Sequence, residues 1–154
     1  MFVLVRHGEA GSKRRWHGQD SLRPLSDHGH RQAAGLVHSL RDLDVRAVLT
    51  SPMTRCRQTV APLAQARDLT IREHALLLPD ADLTALMSML SEPSIGGTVL
   101  CTHGEALTRI LPQWQDLPRT GGPPDDKTRK GAAWIVENYP GPRASLRYLP
   151  ATPA

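Results

Sequence analysis

The sequence predicts an α/β fold, a three-layer sandwich in which a largely parallel central sheet is flanked by helices. Two observations predict it. Short apolar runs of strand character alternate along the chain with stretches whose apolar residues recur at helical spacing, the pattern of successive strand-helix units. The chain has 154 residues, of which 40% are hydrophobic, enough for one core of ordinary domain size. Residues 1–154 are therefore expected to form a single domain.

The elements follow in order. Residues 1–5 (Met-Phe-Val-Leu-Val) are a continuous apolar run, as expected of a strand buried on both faces, and they stop abruptly at Arg6-His7-Gly8-Glu9. Over 26–43, Ala33, Leu36, Val37, Leu40 and Leu43 follow helical spacing, with Ser26 or Asp27 as N-cap. Residues 47–51 form a second strand. Pro52 suits the first turn of the next helix, which carries 54–67 and which Pro62 should kink or split. A weak third strand is expected at 70–73, a short helix at 83–90 and a fourth strand at 98–101, which stops at Thr102-His103-Gly104. Leu107, Ile110, Leu111 and Trp114 mark a helix over 105–114, with Glu105 favourably placed against the dipole in its first turn. A Gly/Pro-rich loop over 115–131 precedes a last strand pair at 132–137 and 145–149, and residues 150–154 should fray.

Composition excludes several function classes. No apolar stretch approaches the ~18 residues of a membrane span, and the N-terminus lacks the charged and apolar regions of an export signal, so a cytoplasmic protein without a membrane partner is expected. Cys56 and Cys101 are too few for a disulfide scaffold and lack the spacing of a zinc site. The net charge of +4 fits an anionic partner, and it is unevenly placed: Arg6, Lys13, Arg14, Arg15 and Arg23 crowd the first two dozen residues. Charge alone is the only argument for nucleic acid, and no recognition motif accompanies it, so no nucleic-acid partner is expected. Trp16, beside the basic run, has the chemistry to stack on a base, although a loop Trp more often folds onto the protein. His17, His28, His30, His38 and His74 sit in loops or polar helix positions and are expected at the surface.

Three strands end in groups able to hold an anion, and in open α/β sheets ligands bind beyond the carboxyl ends of the strands. The first delivers Arg6-His7-Gly8, the second Thr50-Ser51-Pro52 followed by Arg55, and the fourth Thr102-His103-Gly104. If they converge, two guanidiniums can bind phosphate oxygens while one neutral imidazole attacks phosphorus and the other donates a hydrogen bond.

These blocks resemble the histidine phosphatase, or phosphoglycerate mutase-like, superfamily. Its signature Arg-His-Gly is Arg6-His7-Gly8, the run from Thr50 to Thr59 looks like its second block, and His103-Gly104 like its third. Asp20-Ser21-Leu22-Arg23-Pro24-Leu25-Ser26 is similar to the short SixA-like branch. Lys13 to Trp16, Arg23-Pro24-Leu25, Arg55-Cys56 and Lys130-Gly131 before Trp134 resemble the domain fused behind MutT-type Nudix hydrolases. The resemblance implies a phosphoglycerate mutase-like fold, with His7 as the nucleophile that becomes phosphohistidine and Arg6, Arg55 and His103 completing the phosphate pocket. It further implies Gly8, Lys13, Arg23, Gly104 and Lys130 as substrate-binding residues, a metal-independent reaction and no cofactor.

One departure from the family pattern concerns the acid that protonates the leaving oxygen. Residues 75–78, where the family usually carries it, are apolar. Asp80 stands nearest and is the first candidate, ahead of Asp82, Glu9 and Glu105, although Asp80 and Asp82 also suit a turn and helix cap before Leu83. The resulting expectation is a phosphatase acting on protein phosphohistidine or on a nucleotide or other phosphoanhydride. A phosphoglycerate mutase and a non-catalytic phosphate-binding or interaction module are the alternatives.

Overall fold

The computed structural model describes all 154 residues. One sheet of seven strands crosses the molecule in the order β3-β2-β4-β1-β6-β7-β5. Its strands are β1 (Phe2–Arg6), β2 (Ala47–Thr50), β3 (Ile71–Glu73), β4 (Thr98–Thr102), β5 (Arg119–Thr120), β6 (Ala133–Glu137) and β7 (Ser145–Leu149). The β3-β2-β4-β1 half is parallel, β6 runs antiparallel to both β1 and β7, and β5 returns parallel to β7. The sheet is thus mixed, with parallel pairs in the majority.

Period-two alternation along β1 divides the core into two layers. Val3 and Val5 face a cluster with Leu36, Leu40, Val60, Leu63 and Cys101, built on helices α1 (Asp27–Ser39) and α2 (Thr54–Ala66). Phe2 and Leu4 face the opposite cluster with Leu86, Leu90, Leu107, Ile110 and Trp134, built on α3 (Leu83–Leu90) and α4 (Gly104–Ile110). Helices on both faces explain why 2–5 are apolar without alternation. No helix is long and apolar enough to cross a membrane.

Local chemistry sets several element ends. The Ser26 side chain accepts from Gly29 N (3.1 Å) and caps α1, and Asp82 accepts from Ala85 N (2.8 Å) and caps α3. Pro52 lies outside α2, whose N-cap is Met53. Pro62 does not split α2, which is continuous over 13 residues. Buried Thr59, Val60, Leu63 and Ala64 pack on either side of it, so tertiary contacts hold the turn that a missing N–H weakens. The expected helix over 105–114 is α4 followed by a 3-10 turn, Leu111–Trp114. Pro112 in that turn has no N–H with which to continue the α-helical ladder.

The loop expected over 115–131 contains β5, whose two residues are too few to show a period. Residues 150–154, expected to fray, are hydrogen-bonded to α1. Ala154 N donates to Arg31 O (3.0 Å) and the hydroxyls of Ser39 and Thr152 lie 2.8 Å apart, which lays the tail along α1. A side chain at Gly35 would collide with Thr152 O, so this glycine is what admits the tail.

Candidate active site

Register brings the site together. Arg6 is opposite Thr102 in the β1–β4 pair, so the next residues, His7 and His103, emerge side by side. Thr50 is opposite Cys101 in the β2–β4 pair, which places Ser51 beside them. His7 N donates to Thr102 O (3.1 Å) and Ser51 N to Cys101 O (3.0 Å), extending both ladders one step past the strands. The rings of His7 and His103 meet edge to face with centroids 5.3 Å apart.

His7 is 7% exposed. Its Nδ1 lies 2.7 Å from the Gly8 carbonyl, which only accepts, so the proton of a neutral ring sits on Nδ1 and the Nε2 lone pair is free. Burial lowers its pKa to about 3. The Gly8 contact opposes the shift, while His103, Arg55 and Arg6 add to it. The imidazole is therefore neutral at pH 7.

Arg6 and Arg55 flank it, each anchored at one end of its guanidinium. Arg6 Nη1 donates to Thr128 O (2.6 Å). Burial lowers its pKa, with Arg129 adding to the effect and Glu105 opposing it. Gly104 is needed here, because a Cβ at that position would stand 2.7 Å from Arg6 Cζ. Arg55, rooted in the first turn of α2, donates from Nη1 to Asp20 O (2.9 Å) and from Nη2 to Asp20 Oδ2 (3.1 Å). Arg23 Nε binds the other oxygen of that carboxylate at 3.1 Å. Partial burial raises the Asp20 pKa, but the hydrogen bonds and charges of Arg23 and Arg55 outweigh it and leave the group more acidic than usual.

Four buried side-chain polar atoms in the protein have no hydrogen-bond partner, and three of them are here: Arg6 Nε, Arg55 Nε and His103 Nδ1. Buried donors are almost always satisfied. Three unpartnered nitrogens, at the ends of β1 and β4 and in the first turn of α2, fit a tetrahedral anion that accepts from several directions. A cavity of about 310 Å³ opens over this point, lined by Arg6, His7, Lys13, Asp20, Arg23, Arg55, Pro79, Glu105 and Lys130. Five cations face two carboxylates there, and no apolar wall is present.

The structure thus gathers most of the expected residues. Lys13, Arg23 and Lys130 line the cavity with His7. Gly8 does not: its N–H is taken by Thr59 Oγ1 at 3.0 Å. Gly104 lines the adjoining cavity with Arg6 and Glu105. Asp80, the first candidate for the acid, is exposed and outside the lining, whereas Glu105 is part of it. The turn through Pro79 and Asp80 is held from Arg109, which donates to Pro79 O and Ala81 O, and Pro79 is the residue turned to the cavity.

Sequence reasoning passed over Asp20, whose spacing of three from Arg23 was a usable signal, and Gln32, which binds Glu9 N and Lys130 O and ties the two loops together. His17, His30 and His38 are exposed as expected, His28 and His74 are partly covered, and His74 Nδ1 accepts from Leu76 N.

Residues 2–78, half of the chain, match the family model for the histidine phosphatase superfamily (branch 1). Over 152 residues the chain is 32% identical to the 8-oxo-(d)GTP phosphatase of Mycolicibacterium smegmatis. That alignment covers 96% of this chain but 47% of the relative, so the chain spans about half of its length. Its fold is that of the protein histidine phosphatase SixA solved with tungstate (TM-score 0.68, 19% identity, 97% of this chain and 96% of that one). The α-ribazole phosphatase of Shigella flexneri is similar in the same sense (TM-score 0.72, 17% identity, 96% and 95%).

Proposed function

The chain belongs to the histidine phosphatase superfamily, and from that premise we propose that it is a metal-independent phosphatase that passes a phosphoryl group through His7. The observation that carries this reading is the group of partnerless buried nitrogens on Arg6, Arg55 and His103 beside an imidazole whose Nε2 lone pair is free.

In the first step Nε2 attacks phosphorus. The P–N bond forms as the bond to the leaving oxygen breaks, and that oxygen keeps the electron pair. Arg6, Arg55 and His103 donate to the equatorial oxygens, where charge is spread in the transition state. In the second step a water oxygen attacks phosphorus and the electron pair of the P–N bond returns to Nε2.

The water proton needs an acceptor. Asp20 is engaged by two arginines, so Glu105 is the carboxylate of the cavity better placed to exchange protons with solvent. An exposed carboxylate of this kind assists a poor leaving group weakly. The substrates favoured are therefore those whose leaving groups need little protonation, a phosphoanhydride such as a nucleotide, or a protein phosphohistidine. The M. smegmatis relative named for a nucleotide substrate supports the anhydride branch.

Acid-quenching is unsuitable for the decisive experiment, because a phosphoramidate is acid-labile. Mixing with radiolabelled anhydride, quenching in base and mapping the label should place it on His7. Label on any other residue removes the mechanism.

A further inference from the structure

We propose that the groove beside the phosphate cavity, walled by Trp16, is a nucleobase subsite, so that the substrate is a nucleoside di- or triphosphate. This rests on the phosphatase reading above and chooses among the substrates it allows.

Trp16 and Leu22 are the exposed large hydrophobic side chains of the chain, with Trp16 at 37%. An indole left in water is usually mobile, but this one is held. Its Nε1 donates to Gln19 O at 2.8 Å, which fixes the tilt of the ring. Gly18 lies against it: a Cβ there would stand 3.2–3.3 Å from Nε1, Cε2 and Cζ2, so the missing side chain lets the backbone approach the ring closely. The indole is pinned on its backbone side without being buried, which is the state a stacking platform requires, since little rotamer freedom remains to be lost on binding.

Trp16 lines a groove of about 240 Å³ together with Arg15, Pro24 and Leu25. These supply flat apolar contact and one cation, in contrast to the cavity at His7, which has no apolar wall. Arg23 belongs to both linings and is fixed between them by Ala10 O (3.0 Å) and Asp20 (3.1 Å). The shared arginine joins a phosphate site to a stacking site. A ligand that fills both carries phosphates at one end and a planar heteroaromatic group at the other.

The test compares GDP with inorganic pyrophosphate, which has the same anhydride bond and no base, in wild type, Trp16→Ala and Trp16→Phe. Stacking on an aromatic ring strengthens binding of a base roughly tenfold or more. The ratio of kcat/KM for GDP to that for pyrophosphate should fall roughly tenfold in Trp16→Ala, through KM, and largely recover in Trp16→Phe. In parallel, GMP should quench the wild-type tryptophan fluorescence, and the quench should vanish in Trp16→Phe. An unchanged ratio together with a quench that survives Trp16→Phe overturns the subsite. Loss of hydrolysis of every substrate with the Trp16-dependent quench retained upholds the subsite and removes the phosphatase reading instead.

Discussion

His7 and His103 follow adjacent parallel strands, are both nearly sealed from solvent, and touch each other, yet they are wired in opposite senses. His7 is tied through Nδ1 to a backbone carbonyl, an acceptor that cannot change role, and so presents Nε2 as a lone pair. His103 is tied through Nε2 to the Ser51 hydroxyl (2.8 Å), with Cys56 Sγ at 3.5 Å, groups able to donate, and its Nδ1 is buried without a partner. If Ser51 donates, the proton of His103 sits on Nδ1, the nitrogen that no group of the protein engages. In the proposed mechanism the same side chain serves as nucleophile in one place and as donor in the other. What decides between them is which ring nitrogen the neighbouring carbonyl or hydroxyl engages.

His7→Ala should lower kcat/KM on the order of 10⁴-fold or more, since no other imidazole lines the cavity to take the phosphoryl group. Activity that survives this change in a stopped assay would show that His103, or water directly, does the work. His103→Ala removes a donor to developing charge and leaves the nucleophile in place, so steady-state kinetics should show a loss of about 10²- to 10³-fold. Label should still accumulate on His7 in that variant, and its absence there would erase the distinction between the two rings.

Titration sharpens the contrast. His7 binds its proton near pH 6.5 in the unfolded chain but only near 3 in the fold. Between those values the unfolded state holds more protons, so stability contributed by neutral His7 is complete above about pH 6.5 and is lost as pH falls toward 3. Urea midpoints at pH 7 and pH 4.5 should draw closer together in His7→Gln than in wild type. An equal acid sensitivity would mean that His7 is already protonated at pH 4.5. The smallest effect expected is that of Ser51→Ala: one neutral hydrogen bond to His103 is lost while Cys56 remains, so activity should fall roughly two- to tenfold. A loss as large as that of His103→Ala would make Ser51 part of the chemistry itself.

Much of the site is legible in the chain because strand ends are punctuated locally. An apolar run that halts at Arg6-His7-Gly8, or at Thr102-His103-Gly104, announces both the strand and the polar groups at its carboxyl end. Caps are equally local, and Ser26 and Asp82 serve as their side-chain chemistry predicts. Residues whose role depends on a partner far along the chain are less legible. Asp80 stands close in sequence to where an acid is expected, yet Arg109 holds its turn so that Pro79 faces the cavity, while Glu105 arrives on a different helix.

Periodicity and punctuation act over a few residues, and they sufficed for the α/β class, the polar strand ends and the identity of the four central side chains. Long-range packing places β4 between β1 and β2 and so puts His103 against His7 and Ser51, residues separated by 96 and 52 positions. It also decided that Asp20 locks Arg55, that the tail lies on α1 through Gly35, and that two residues of a long loop complete the sheet as β5. Strand order, register and ring tautomer arise from contacts between distant segments, and no local pattern encodes which distant segment a residue will meet.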